Sequence, residues 1–154
     1  MATTKNGKAA TVKTTFSRTT SVNIDINAAP SIVWALLTNA SDYPRWNKTV
    51  VSIEGKIAAG EKISLKSTLD PKRAFKLKVQ EFVPNTRLAW GDAMGKRIYT
   101  LARNTDDSIS FSMEEKIGGP LFPLFAKMIP PFDESFETFA SNLKQEAELI
   151  MNSK

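Results

Sequence analysis

Val22, Ile24 and Ile26 alternate with Asn23, Asp25 and Asn27, the two-residue period of a strand with one buried face. This predicts a first strand over residues 21–27, with a start as early as Thr14 compatible with the pattern. Ala29-Pro30 then opens a helix, because proline at an early helical position loses no hydrogen bond, and Ile32, Val33, Leu36 and Leu37 supply its apolar side up to about Asn39. A second short helical turn is expected over 41–46, with Ser41 and Asp42 available to cap it. From 49 to 117 the pattern becomes a meander of strands separated by Gly60, Asp70-Pro71, Pro84-Asn85, Gly95 and Asp106-Asp107. The inward sets are Val51, Ile53 and Ile57; Ile63 and Leu65; Phe75, Leu77 and Val79; Leu88 and Trp90; Tyr99 and Leu101; and Ile109, Phe111 and Met113. The opposite face carries Lys62, Ser64, Lys66, Lys76, Lys78, Gln80 and the serines 108, 110 and 112.

A sheet with one wet face must cover the other, and the end of the chain supplies the cover. Over 131–152, Phe132, Phe136, Phe139, Ala140, Leu143, Ala147 and Ile150 recur at helical spacing opposite Glu134, Glu137, Lys144 and Glu148, with Asp133 placed to cap the start. The helix is roughly 30 Å long at 1.5 Å per residue, enough to cross the sheet. The fold class is therefore α+β: a curved antiparallel sheet of six to seven strands wrapped on a long C-terminal helix, with two short helices after the first strand. Residues 21–152 form one domain, and 1–20 read as a flexible basic lead-in.

Composition narrows the chemistry. The 154 residues include no cysteine and no histidine, which removes disulfides, thiol chemistry, the usual general base and any His-dependent hydrolase. A net charge of +5 favours anionic partners only weakly. No apolar run is long enough to cross a bilayer, so no integral membrane segment is expected. The first twenty residues lack the hydrophobic centre of a secretory signal; with Lys5, Lys8, Lys13, Arg18, many threonines and no acid they could read as an organellar transit peptide, but they show no clear amphipathic period, so a flexible lead-in on a cytoplasmic protein is the expectation. The outer lysines have no interleaved aromatics to stack on bases, so no nucleic acid is expected as a partner. No Walker-type loop, Rossmann glycine pattern or acidic metal cluster is present, and neither cofactor nor metal is anticipated. Nothing in the chain sets the oligomeric state.

Several short motifs go further than periodicity. Ala29-Pro30 with Val33-Trp34 and Leu37-Thr38, Asp42-Tyr43-Pro44 with Trp46-Asn47, Gly55 and Gly60, Val79-Gln80-Glu81-Phe82-Val83-Pro84 with Arg87-Leu88-Ala89-Trp90, Tyr99-Thr100-Leu101, and Glu114-Glu115 with Gly119-Pro120-Leu121 occur in order. In these residues the chain resembles the START-like (SRPBCC) superfamily, particularly its polyketide cyclase/dehydrase-like branch, over about 21–148. Lys48, where relatives often carry proline, and Asp106-Asp107-Ser108, in place of a glycine turn, depart from the pattern. The resemblance implies a helix-grip fold around a ligand cavity. It leaves the chemistry open, because the same fold hosts lipid and hormone binders, aromatase/cyclases and chaperone activators.

Strand alternation and helical spacing converge Trp46, Phe75, Leu77, Trp90, Tyr99, Phe111, Met113, Phe132, Phe136 and Phe139 on one apolar space. These are the candidate ligand-binding residues for a small hydrophobic molecule, against the plainer reading of a dry core. The apolar stretch 117–131 contains four prolines and two glycines, which excludes a long helix or central strand and makes Phe122, Phe125 and Met128 candidates for a gate, against an ordinary hydrophobic connection tucked under the terminal helix and, as a weaker third reading, membrane contact. Glu81, Asp92, Arg97 and Glu115 fall on or near the inward side, where an unpaired charge is costly, so Arg97 should pair with an acid. Binding is the preferred function. The alternative is a cyclase, aromatase or dehydratase in which Arg97 holds an oxyanion, Glu81 or Glu115 moves a proton and Tyr99 donates a hydrogen bond; a structural ion pair is the plainer reading. A protein-interaction module is a third class.

Overall fold

The computed structural model describes residues 6–153. Eight strands, β1 (Ala9–Lys13), β2 (Ser17–Ile26), β3 (Val50–Glu54), β4 (Lys62–Ser67), β5 (Asp70–Val83), β6 (Arg87–Gly91), β7 (Gly95–Thr105) and β8 (Ser108–Gly118), form one antiparallel sheet. The order is β1-β2-β8-β7-β6-β5-β4-β3. Helices α1 (Pro30–Thr38) and α2 (Tyr43–Trp46) follow β2, α3 (Phe122–Phe125) follows β8, and α4 (Asp133–Asn152) closes the chain. Register shifts at Val50/Ser52, Leu65/Ser67, Val79/Glu81 and Arg103/Thr105 bend the strands, because a bulge adds twist and curvature locally.

The sheet has eight strands rather than six to seven because the expected lead-in is built into it. Arg18 and Thr20 are buried on the same strand face as Val22, Ile24 and Ile26, so β2 starts before 21, and β1 pairs beside it. Residues 1–5 of that lead-in lie outside the described residues. β1 is held by distant polar partners rather than by hydrophobicity of its own. The Ala9 amide donates to Glu137 Oε2 (2.9 Å), and Thr11 Oγ1 donates to Asp133 Oδ1 (2.6 Å).

Other local expectations shift for identifiable reasons. Asp133 accepts from Thr11 and makes no side-chain cap to its own helix, which starts two residues after Pro131. Neither Ser41 nor Asp42 caps α2: Asp42 takes the Arg45 guanidinium in two bonds (2.8 and 2.9 Å), and Ser41 donates to Asn39. Val51 is 40% exposed, since the bulge beside it turns Val50 inward instead. Asp70-Pro71 lies inside β5, and the β4–β5 turn is Thr68-Leu69. The Pro84-Asn85 turn is where expected, with Asn85 at φ 63°, a left-handed conformation that asparagine tolerates.

Helix α4 lies chiefly along β2 and also touches β1, β8 and α1. Its Phe139 is the centre of an aromatic core, with ring centroids 5.6 Å from Tyr99, 5.9 Å from Trp46, 6.3 Å from Tyr43 and 6.4 Å from Phe111. Both tyrosines of the chain, Tyr43 and Tyr99, are wholly buried here. Burial raises both phenols above the usual value near 10, and the Arg97 charge offsets part of this. A raised folded-state pKa contributes stability that is intact below the unfolded value and is lost as pH rises past it. Tyrosinate absorbance is therefore expected to appear together with unfolding above about pH 10, in one cooperative step. Gradual titration of either phenol in folded protein would contradict this packing.

Candidate functional site

Register places a row of side chains across the concave face. Val79 pairs with Trp90, Trp90 with Arg97, Arg97 with Glu115, and Glu115 with Thr20. Cross-strand partners lie about 5 Å apart, so Arg97 and Glu115 are committed to each other by pairing alone. Their contact is Nε to Oε1 at 2.6 Å, with side chains 19% and 17% exposed. Burial opposes the Arg97 charge, yet the pull of Glu115, with Tyr99, outweighs it and holds the guanidinium above its usual pKa. The guanidinium also lies over the Phe136 ring, 5.0 Å from its centroid.

Beside this pair the concave face is open. A pocket of about 400 Å³ lies against β4 to β8, walled by Leu65, Phe75, Leu77, Trp90 and Ile117, with Arg97 and Glu115 in its lining. The chain after β8 closes it with Phe125, Met128, Ile129, Pro130 and Phe132, while Leu69 and Met94 come from two hairpin turns and Arg73 from the start of β5. Gly91 also lines the pocket. A Cβ there would sit 2.3 Å from the Gly95 carbonyl oxygen, so only glycine lets the β6–β7 hairpin close this tightly.

The predicted residues separate into two groups. Phe75, Leu77, Trp90, Phe125, Met128 and Phe132 line the pocket, as do Arg97 and Glu115. Trp46, Tyr99, Phe111, Met113, Phe136 and Phe139 are packed in the core, and Phe122 is buried in edge-to-face contact with Phe125 (5.7 Å). Glu81 lies away from the pocket between Arg87 (2.8 Å) and Lys96 (3.2 Å), and the Arg87 hydrogen bond, then that of Lys96, lowers its pKa. Helix α4 occupies the β1–β2 side of the sheet, so the space lies beside the helix and under the 125–132 segment rather than between sheet and helix.

Arg18 was missed as a site residue because it lay in the expected lead-in. It donates from Nη1 to the Ile129 carbonyl (3.1 Å) and from Nη2 to the Pro130 carbonyl (2.7 Å), and stacks over Phe132 at 4.7 Å. Burial lowers its pKa, with Glu115 and Asp133 opposing the shift. It thus pins the pocket's closing wall to β2. The signal was available, since Arg18 and Thr20 continue the inward alternation of Val22, Ile24 and Ile26. Among the described residues no group of acids could hold a metal ion.

No curated protein matches the chain in sequence. Its fold is similar to that of a START superfamily protein from Mycobacterium smegmatis (TM-score 0.63, 14% identity), covering 86% of this chain and 98% of the other. It is also similar to a conserved protein of unknown function from Enterococcus faecalis (TM-score 0.66, 14% identity, 90% and 75% covered). A third likeness is to the di-domain ARO/CYC BexL (TM-score 0.66, 15% identity), where 88% of this chain matches 48% of the longer one. These establish the START-like helix-grip architecture. The family described as polyketide cyclase/dehydrase and lipid transport matches residues 14–148, nearly the whole described chain, and the protein belongs to that family.

Proposed function

We propose that the protein binds a small hydrophobic molecule bearing one acidic or carbonyl oxygen. The supporting observation is the pocket itself: about 400 Å³, aromatic and aliphatic in its walls, with the Arg97–Glu115 pair as its inner polar feature. Ligand pockets of roughly 300–1,000 Å³ have this mixture of apolar walls and few placed polar groups. Arginine carries five donors. Arg97 donates from Nε to Glu115 and its guanidinium also lies against the Tyr99 hydroxyl, so a guest's oxygen would take one of the remaining donors.

Trp90 lines the pocket, so its fluorescence reports occupancy. Titration with dodecanoic acid is expected to give a saturable change that the Trp90→Phe variant lacks. Arg97→Met should weaken dodecanoic acid about 10- to 100-fold, as for loss of a hydrogen bond to a charged group, and weaken dodecanol far less. Equal binding of both ligands to both proteins would remove the anchoring role. Chemical-shift changes confined to the outer lysine face would remove the pocket reading altogether.

One observation favours catalysis instead: Glu115 and Arg97 share the pocket wall, so a cyclase or dehydratase could use Glu115 as proton acceptor and Arg97 to hold an enolate oxygen. Against it, Glu81 is committed to Arg87 and Lys96, and Tyr99 has no exposed surface and meets only the inner side of Arg97. Unchanged turnover of a polyketide-like substrate by Arg97→Met would exclude that reading.

A further inference from the structure

The large exposed apolar side chains are concentrated at one end of the sheet. Phe16 lies in the β1–β2 turn, Leu69 in the β4–β5 turn, Met94 in the β6–β7 turn, and Leu121, Leu124 and Met128 follow β8. The ladders bring these separate segments together: Ser17 pairs with Gly118, Ile117 with Gly95, and the Phe16 carbonyl accepts from the Gly119 amide. Leu69, Met94 and Met128 also line the pocket, so its opening lies among these tips. Leu124 and Met128 are each 80% exposed, far more than a helical turn needs for its own stability.

Charge accompanies this surface. Lys13, Lys72, Arg73, Lys116 and Lys127 lie beside the same turns and strand ends, and none of them forms an ion pair among the described residues. They outnumber Asp70, Asp92, Asp133 and Glu134 at this end, and two of those acids are already engaged, Asp92 by the Met94 and Gly95 amides (2.9 Å each) and Asp133 by Thr11 (2.6 Å). We propose that this end docks on an anionic phospholipid surface, with the apolar tips entering the headgroup region and the cations meeting lipid phosphates. Buried apolar area and attraction to anionic lipid act together in peripheral binding of this kind. A second copy of this chain would bring the unpaired cations against each other. A bilayer also lets an apolar guest move between lipid and pocket without crossing water. No helix of the described residues is long and apolar enough to cross a membrane, so the contact is peripheral. The inference stands apart from the identity of any pocket ligand.

Vesicle flotation tests it. The full chain is expected to float with vesicles of phosphatidylcholine and phosphatidylglycerol, less with phosphatidylcholine alone, and less as salt is raised. The double variant Leu124→Asp/Met128→Asp should bind at least about 10-fold more weakly, and Arg73→Gln and Lys127→Gln about 5-fold each, the value of one interfacial cation. Leu149→Asp, at a position 66% exposed on the last turns of α4, should bind like the wild type. The proposal is overturned by absence of flotation, by wild-type binding of the double variant, or by equal loss in Leu149→Asp. Light scattering that shows a dimer dissociated by Leu124→Asp/Met128→Asp, without flotation of the wild type, would assign the surface to self-association instead.

Discussion

Replacing Phe139 with alanine is expected to lower the unfolding free energy by about 3–5 kcal/mol, the range for deleting a fully buried aromatic side chain. The position justifies the upper part of that range. Phe139 touches Tyr43, Trp46, Tyr99 and Phe111, which arrive from α2, β7 and β8, so no single element can move in to fill the space. For a chain of this length such a loss lowers the melting midpoint by roughly 6–20 °C. Urea unfolding followed by circular dichroism would measure it. A cost below about 1.5 kcal/mol would mean that the aromatic core is loosely packed and that α4 does not seat as described.

Glu115→Ala is expected to cost roughly 3 kcal/mol for a different reason. Removing the carboxylate strands Arg97, whose side chain is 19% exposed and whose neighbours are Trp90 and the Phe136 ring. An unpaired charge in such a place loses its compensation, whereas replacing both partners by apolar groups of similar size is often neutral. The double variant Arg97→Met/Glu115→Leu should therefore regain most of the stability lost by Glu115→Ala. It should still bind dodecanoic acid weakly. Recovered stability without recovered binding separates the structural part of the pair from its proposed part in ligand anchoring; full recovery of both would deny Arg97 any part in binding.

The pocket was only half legible before folding because alternation reports which face of a strand a residue occupies, not what stands opposite. Trp90 and Tyr99 are both inward, and their rings meet edge to face at 5.1 Å. Trp90 nevertheless lines the pocket, and Tyr99 is enclosed by Phe111 and Phe139. The difference comes from α4, which lies over one side of the sheet and leaves the other to the short 125–132 segment. Phe122 and Phe125 show the same limit within a single turn. They begin and end α3, yet one is buried away from the pocket and the other lines it.

Hydrophobic period and turn chemistry, each acting within a few residues, are enough to place the strand faces, the proline-opened first helix, the terminal amphipathic helix and their order. Pairing of Arg97 with an inward acid was also within reach of the sequence, since a lone buried charge is too costly to leave unmatched. That Glu115 rather than Glu81 is the partner, that Arg18 holds the closing wall and that Ala9–Lys13 is a strand emerge only from the folded chain. The reason is range. Arg18 reaches carbonyls 111 and 112 residues away, and Thr11 is held by an acid 122 residues away. Such partners meet only once the sheet has brought both ends of the chain to the same edge.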